Sequence, residues 1–598
     1  MFMPQLDHVS AISILPDDIL TVIFLYFPIP TTPIRNAVSR DIDLAPYEPD
    51  PDAKDKTWLR ISHVCQRWRA ISLSCSNVWS TINVTSLQTK LALASLKRAQ
   101  RAPLTVIADW TTLYSSDFDV LEDTTAEALF HLSHTRHLIV RGDMSRSAYE
   151  RIIPIMQAQE ADLLETLQLS TKAYVEDSDM VPVNLPAALF LQRAPRLRRL
   201  ALHGAFSFGW HNTVFSGSLT HLSLRHISST AIPTYEALFD VLRRCPLEVL
   251  SLVASLPAPV GWTFNPERDT ERLPRLSAGD AKLQLSQLRT CTLEDHGIEL
   301  AEFIRRIDVP RTCHVSLFVG RQNPIADLSG VIPSPLSPVM STLRDFCASR
   351  NTLHQADLHF EQRRGARFQW IFSGRVTEAE DAPCSIIELS MGGTADPDLV
   401  HVPVEDAPAG SFLSGLFLIG SRMFPLPAVR SVRVSVRSVT CGLFWDVLMY
   451  LDNVESITVV GPGVRSFAVS LDEYAQLPNF LARLGRIVLA HADLNFPFVE
   501  VACLESALRR RRGNALPSPA IVLEYCEIPQ GALETLESES DQPIECVGKP
   551  DVWTLDALSS DEESDSDWDS ESENDEFPYN AIVESDAGSD AGSFGQDD

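Results

Sequence analysis

A short phrase recurs along the chain: an apolar residue, two others, an apolar residue, one other, and an apolar residue. It appears at Leu164, Leu167 and Leu169, and again at Leu197, Leu200 and Leu202. Two further copies follow, at Leu219, Leu222 and Leu224 and at Leu247, Leu250 and Leu252. Weaker copies surround Leu138, Cys291, Val315, Ala356, Leu389, Val432, Ile457 and Ile487. Central positions are separated by as few as 22 residues (Leu200 to Leu222) and as many as 43 (Leu389 to Val432). The phrase turns two alternating apolar side chains of a short strand inward. A parallel neighbour needs a returning segment, and residues 185–193 and 235–244 suit a returning helix. Upstream, residues 87–101 read as a helix ending before Pro103, and residues 104–107 as a strand. Two stretches interrupt the pattern and read as surface loops, 257–284 and the proline-bearing 321–340.

The N-terminal pattern is different. Residues 14–27 place Ile19, Leu20, Ile23, Phe24 and Phe27 at helical spacing, with Pro16 at the first helical position and Asp17 and Asp18 in the first turn. Residues 58–73 bring Ile61, Val64, Cys65, Trp68 and Ile71 close to one helical face, flanked by Arg67 and Arg69. A short piece, Ser76-Asn77-Val78-Trp79, follows.

Leu15-Pro16-Asp17-Asp18-Ile19-Leu20, then Val64-Cys65-Gln66-Arg67-Trp68 and Val78-Trp79, resemble an F-box, most closely its fungal form. The chain departs from that pattern in three places. Asp18 replaces a glutamate, Gln66 a basic residue, and residues 28–56, with six prolines, separate the two halves as a loop insertion. The resemblance implies that Leu15, Pro16, Leu20, Ile23, Cys65 and Trp68 dock on the small adaptor joining F-box proteins to a cullin scaffold. The repeated phrase resembles leucine-rich repeats over residues 135–530, although the asparagine or cysteine usual after each phrase is mostly absent. The expected architecture is therefore α/β. A three-helix F-box occupies residues 1–85, a connecting helix and strand 86–134, and an irregular leucine-rich-repeat-like solenoid with a parallel sheet 135–530. An acidic disordered tail fills 531–598. The function implied is that of a substrate receptor of a cullin-RING (SCF-type) ubiquitin ligase, with the repeat body recruiting an unknown protein substrate. The alternative is an interaction scaffold that never joins a ligase.

Charge sharpens the tail. The net charge is −29, and residues 551–598 hold 17 acidic side chains without a Lys or Arg, leaving −12 on the rest. Such a segment buries too little to offset its chain entropy. Ser559, Ser560, Ser564 and Ser566 stand just ahead of acids, as acidophilic kinases prefer. A body this acidic does not suit nucleic acid. No apolar run is long enough for a bilayer, so no membrane partner is expected. The first residues do not read as a signal peptide, and cytoplasmic or nuclear residence is the expectation. The 11 cysteines form no CxxC pair, which argues against a structural zinc site.

His131, His134 and His137 recur every three residues, but no carboxylate or cysteine completes a ligand set beside them and a strand is expected at 138–140. Arg509 to Arg512 end an expected helix, 499–512, with Gly513 as its C-cap. Their alternative role is a nuclear-import signal or a basic partner for a phosphorylated tail. Phosphate loops, GxSxG and HExxH are absent, and nothing pairs a nucleophile with a base. Neither an enzymatic activity nor a cofactor or metal is expected.

Overall fold

The computed structural model describes residues 15–26, 61–84, 89–110, 118–171, 181–257, 282–295, 297–319, 355–362, 368–375, 385–391, 429–435, 451–461, 463–492 and 499–548, apart from residue 529, with a few isolated positions between them. All belong to the first of two compact units, Met1–Gly548. The expected insertion at 28–56, the loop at 321–340 and the serines of the tail lie outside the described residues.

The fold is α/β around one large sheet. Strands β1 (Thr81–Val84), β2 (Leu104–Trp110), β3 (Thr135–Met144), β4 (Thr166–Thr171) and β5 (Arg199–His203) lie side by side in chain order. So do β6 (His221–Arg225), β7 (Val249–Val253), β8 (Thr290–Asp295) and β9 (His314–Val319), and every pairing is parallel. Beyond β9 the order breaks. β9 pairs with β12 (Ser385–Met391), which runs antiparallel to β11 (Phe368–Arg375), itself antiparallel to β10 (Gln355–Gln362). Chain order then resumes in parallel through β13 (Val429–Ser435), β14 (Ser456–Val460), β15 (Arg486–Ala490), β16 (Ala520–Glu524) and β17 (Glu545–Val547).

Two rows of side chains cross the first nine strands. One runs Ile82, Val106, Leu138, Leu167, Leu200, Leu222, Leu250, Cys291, Val315, each in register with the next. The other runs Val84, Ala108, Val140, Leu169, Leu202, Leu224, Leu252, Leu293, Leu317, and no member of either row is more than 1% exposed. Leu200 and Leu222 are direct partners on adjacent parallel strands, as the repeated phrase requires. The rows reappear as Val432, Ile457, Ile487, Ile521 and Val434, Val459, Leu489, Leu523.

Returning helices close the core. Helices α1 (Asp17–Tyr26) and α2 (Gln66–Ser74) precede the sheet, and α3 (Thr89–Ala99), α4 (Phe118–Leu129) and α5 (Arg146–Ala158) follow β1, β2 and β3. Later come α6 (Tyr235–Arg244), α7 (Gly297–Arg306), α8 (Gly463–Tyr474), α9 (Val499–Gly513) and α10 (Gln530–Glu539). In α6 the side chain of Thr234 caps the first turn by accepting from Ala237 N, and Leu238, Val241 and Leu242 turn into the core. In α7, Glu302 is buried but forked by Arg305 and Arg306, which offsets its desolvation.

Five expectations change. Segment 185–193 is not a helix. Pro186 biases Leu185 toward extended backbone, and Val183–Leu185 pairs with Phe206–Phe208 as a small parallel ribbon. Only a 3₁₀ turn, Phe190–Gln192, follows. The array begins at Thr81 rather than at residue 135, because β1 and β2 already carry both apolar rows. Within 355–391 it is antiparallel, and Ile387 rather than Leu389 stands in register with Val315. Ordered structure passes residue 531, the expected start of the tail, since α10 buries Leu536 and β17 pairs with β16. The loop expected at 257–284 closes early, where Leu283–Gln284 pairs with Ile307–Asp308.

Seven of the turns out of the sheet repeat one backbone device. The residue directly after β5, β6, β7, β14, β15, β16 and β17 is left-handed: Gly204, His226, Ala254, Gly461, His491, Tyr525 and Gly548. Most of these donate their N–H to the strand alongside, for example Gly204 to Arg225 O at 2.8 Å and His491 to Glu524 O at 2.9 Å. Where an asparagine or cysteine was expected, Ser255 donates to Leu224 O at 3.2 Å and Cys526 to Leu489 O at 3.1 Å. In both cases the acceptor belongs to the preceding strand.

Arg511 occupies the buried stripe of α9, beside Leu504, Ala507 and Leu508, and is itself fully buried. Its guanidinium donates to the carbonyls of Phe480, Leu481 and Pro517 at 3.0, 3.1 and 3.3 Å. Burial pushes its pKa down to about 10, so it remains charged at neutral pH. Gly513 does not cap α9. The helix runs through it, and Ala515 takes the left-handed position (φ 56°). Leu516 N then bonds Arg511 O and Ala515 N bonds Arg512 O, closing a Schellman turn.

Three stability outcomes follow from these positions, each read as a shift in thermal or denaturant midpoint. Gly204→Ala places a Cβ 2.2 Å from Thr171 O at φ +104°, and should destabilise by roughly 2–3 kcal/mol. Ala515→Gly relieves an exposed left-handed alanine and should raise stability by about 1 kcal/mol. Arg511→Met leaves the carbonyls of Phe480, Leu481 and Pro517 without this donor, the first two in buried bonds, and should cost roughly 3 kcal/mol.

Candidate functional site

The N-terminal helices form the site that the sequence singles out. Pro16 opens α1, with Leu20 N bonded to Pro16 O at 3.1 Å and Thr21 Oγ1 to Asp17 O at 2.9 Å. Arg67 ties the two helices together, its Nε donating to Asp17 Oδ1 at 2.8 Å and its terminal nitrogen reaching Leu15 O. Trp68 N donates to Cys65 Sγ at 3.4 Å, so Cys65 serves as the N-cap of α2. The rings of Phe24 and Trp68 meet at 5.1 Å. Below them, Trp79 Nε1 donates to Ser72 O at 2.7 Å, and the guanidinium of Arg98 lies 4.4 Å over the Trp79 ring. Leu20, Phe24, Ile61, Ile71, Val78 and Trp79 belong to the same apolar core as the sheet.

The six residues expected to dock a partner divide between two roles. Pro16 and Cys65 are exposed, and Leu15, Ile23 and Trp68 are half-buried. Leu20 is fully buried. It holds α1 on the body and has no surface to offer, which corrects its expected place in a docking face. The other side of α1 carries Ile19, Val22 and Leu25, exposed by 43, 49 and 47%, and Val64 ahead of α2 is 60% exposed. The signal for these was legible in the helix itself. Residues 19, 20, 22, 23, 24 and 25 are all apolar, and a helix that is apolar all round needs cover on more than one side.

The remaining candidates are placed as follows. His131 and His134 flank a 3₁₀ turn with their rings 5.3 Å apart, edge to face. His137 lies instead on β3, where its Nδ1 is 3.0 Å from Thr166 Oγ1. Burial, reinforced by Arg136, pushes its pKa down to about 4. The three are thus not gathered on one helical face. The arginine run is engaged within the chain. Arg509 pairs with Glu505 and Glu539, Arg510 with Asp472 at 3.4 Å, and Arg512 with Glu539 and Asp541. Arg511 is buried, so the run does not present four free cations to an import receptor or a phosphorylated tail. Cys245 and Cys526 carry thiol pKa values raised by burial, Cys245 to about 11, which makes them poor nucleophiles at neutral pH.

Among the described residues, no group of three or more His, Cys, Asp and Glu side chains could hold a metal ion, and no helix is long and apolar enough to cross a membrane. The two N-terminal helices form a platform with one apolar side fixed to the body and one open. No protein-family model matches the chain, and a search of curated proteins finds no match either.

Proposed function

We propose that the chain is a substrate receptor of a cullin-RING ubiquitin ligase, in which α1 and α2 are an F-box and the body is a leucine-rich-repeat-like solenoid. The observation that carries the reading is the open apolar side of the N-terminal platform. Ile19, Val22, Leu25 and Val64 remain exposed while Leu20 and Phe24 are buried on the body. Three large apolar side chains left exposed on α1 mark a surface that a partner covers. The partner in this reading is the small adaptor of cullin ligases, packed helix on helix. The solenoid part is supported by the chain-order parallel strands, by the two apolar rows in register, and by the left-handed residue that ends strand after strand. The acceptor is a protein substrate held by the body, and the chain itself transfers nothing.

The test separates docking from folding. Ile19→Asp combined with Val64→Asp puts charge on the open side and should reduce co-purification of the adaptor and cullin at least about tenfold, with the melting temperature unchanged. Leu20→Ala should instead lower the melting temperature, by the roughly 2–5 kcal/mol of a lost core leucine. Undiminished recovery of the adaptor with the double aspartate variant would sink the ligase reading. Recovery of other partners alone from the wild-type chain would point to a scaffold outside any ligase.

A further inference from the structure

The chain carries its positive charge as 43 arginines against 7 lysines, and the choice depends on position. Residues 1–100, which include the N-terminal platform, hold 4 lysines and 6 arginines. Residues 101–548, which hold the body from β2 onward, have 2 lysines and 37 arginines. The remaining lysine, Lys549, follows the body. A preference acting uniformly on the whole chain would give both stretches the same ratio. None of the strands β1–β17 and none of the helices α4–α10 contains a lysine. Lys90 and Lys97 stand exposed on α3, and Lys282 is exposed just ahead of the short pairing at Leu283–Gln284.

The body needs arginine at some of these places and not at others. Arg511 reaches three carbonyls, and Glu302 is held between Arg305 and Arg306. A planar fork with several donors does there what an ammonium cannot. Arg146, Arg243 and Arg289 have simpler tasks. They form exposed ion pairs with Glu150 at 2.6 Å, Asp240 at 2.8 Å and Glu248 at 3.7 Å, the arginines being 48, 57 and 78% exposed. Such pairs contribute little to stability, and a lysine ammonium would serve them as well. Helix ends allow the same comparison. The last turn of α3 carries Lys97 and Arg98, whereas the last turns of α6 and α7 carry arginines alone. Either cation suits a helix C-terminus. Neither ion pairing nor the helix dipole therefore explains why the body favours arginine so strongly.

What separates the two side chains is nucleophilicity. A lysine amine that has lost its proton can attack a thioester carbonyl. The C–N bond forms, the C–S bond breaks, the sulfur leaves as thiolate, and the attacking nitrogen gives up one proton to solvent. Arginine stays protonated and delocalised, and offers no such lone pair. We propose that the body is written in arginine so that the ligase it serves transfers ubiquitin to the captured protein and not to its own receptor. The inference rests on the function proposed above, which supplies the ubiquitin thioester on a conjugating enzyme recruited by the ligase. The receptor stays in the complex throughout, while the captured protein comes and goes. Any amine on the body would therefore compete at high effective concentration.

The experiment uses the full chain, reconstituted with the ligase adaptor, the cullin-RING scaffold, activating and conjugating enzymes, ubiquitin and ATP, without a captured protein. Wild type should gather ubiquitin slowly on residues 101–548. Arg146→Lys, Arg243→Lys and Arg289→Lys combined should raise ubiquitin on that stretch at least about fivefold, with adducts at positions 146, 243 and 289 identified by mass spectrometry. Arg146→Gln, Arg243→Gln and Arg289→Gln combined remove the same ion pairs without adding an amine, and should stay within about twofold of wild type. Unchanged melting temperatures show that both variants fold. A lysine variant modified within about twofold of wild type overturns the proposal, as does a glutamine variant that rises with it. Adaptor co-purification is read from the same samples. A wild-type chain that recovers no adaptor removes the ligase reading and this inference together. Recovered adaptor with an unmodified lysine variant removes this inference alone.

Discussion

Register between parallel strands is the constraint on which the rest depends. A slip of one residue anywhere would turn a core leucine to the other face and bring an arginine or histidine inward. Leu200 opposite Leu222, and Leu202 opposite Leu224, fix that register locally, and the same pairing is transmitted from Ile82 to Val315. Strand spacing is set by backbone hydrogen bonds. The returning segments therefore cannot alter the sheet, and they vary freely in length and kind. A helix serves after β9's predecessor, as α7, while an extended ribbon and a 3₁₀ turn serve between β4 and β5.

What holds seven of the segments in step is the turn that leaves the strand. A left-handed residue there sends the chain out of the sheet plane while its N–H still bonds to the neighbouring strand. Glycine adopts that backbone readily, yet His226, Ala254, His491 and Tyr525 hold the same conformation. Conformational cost at these positions is offset by the hydrogen bonds and, at His491 and Tyr525, by rings stacked at 5.1 Å. Ser255 and Cys526 stitch the following residue to the preceding strand, a task for any short side chain that donates.

Much of this was legible in the sequence because the apolar phrase reports register directly. Strong copies such as that at Leu222 identified partners correctly, and Tyr235–Arg244 was recognisable from its spacing. Weak copies misled where two adjacent alternations were possible, as with Ile387 and Leu389. The antiparallel pairings of β10 to β12 had no sign in the spacing, since periodicity records which face is buried and not which direction the chain runs. The segment at 185–193 looked helical by composition, and Pro186 was the discordant residue. At the N-terminal site, the order of Leu-Pro, Val-Cys and Trp located both helices. It could not divide their apolar residues between body and exterior, because Leu20 and Ile19 differ only in which neighbour covers them.

Trp79 ends the last turn of the N-terminal platform, and β1 begins two residues later at Thr81. The side chain of Trp79 is buried, bonded to Ser72 and covered by Arg98 of α3. The platform is therefore continuous with the sheet and is not hung from a tether. Whatever sits on Ile19 and Val64 is held at a constant distance and angle from every strand behind it. The molecule acts as a ruler, and two bodies bound at its separate surfaces could not drift toward each other by bending at this joint.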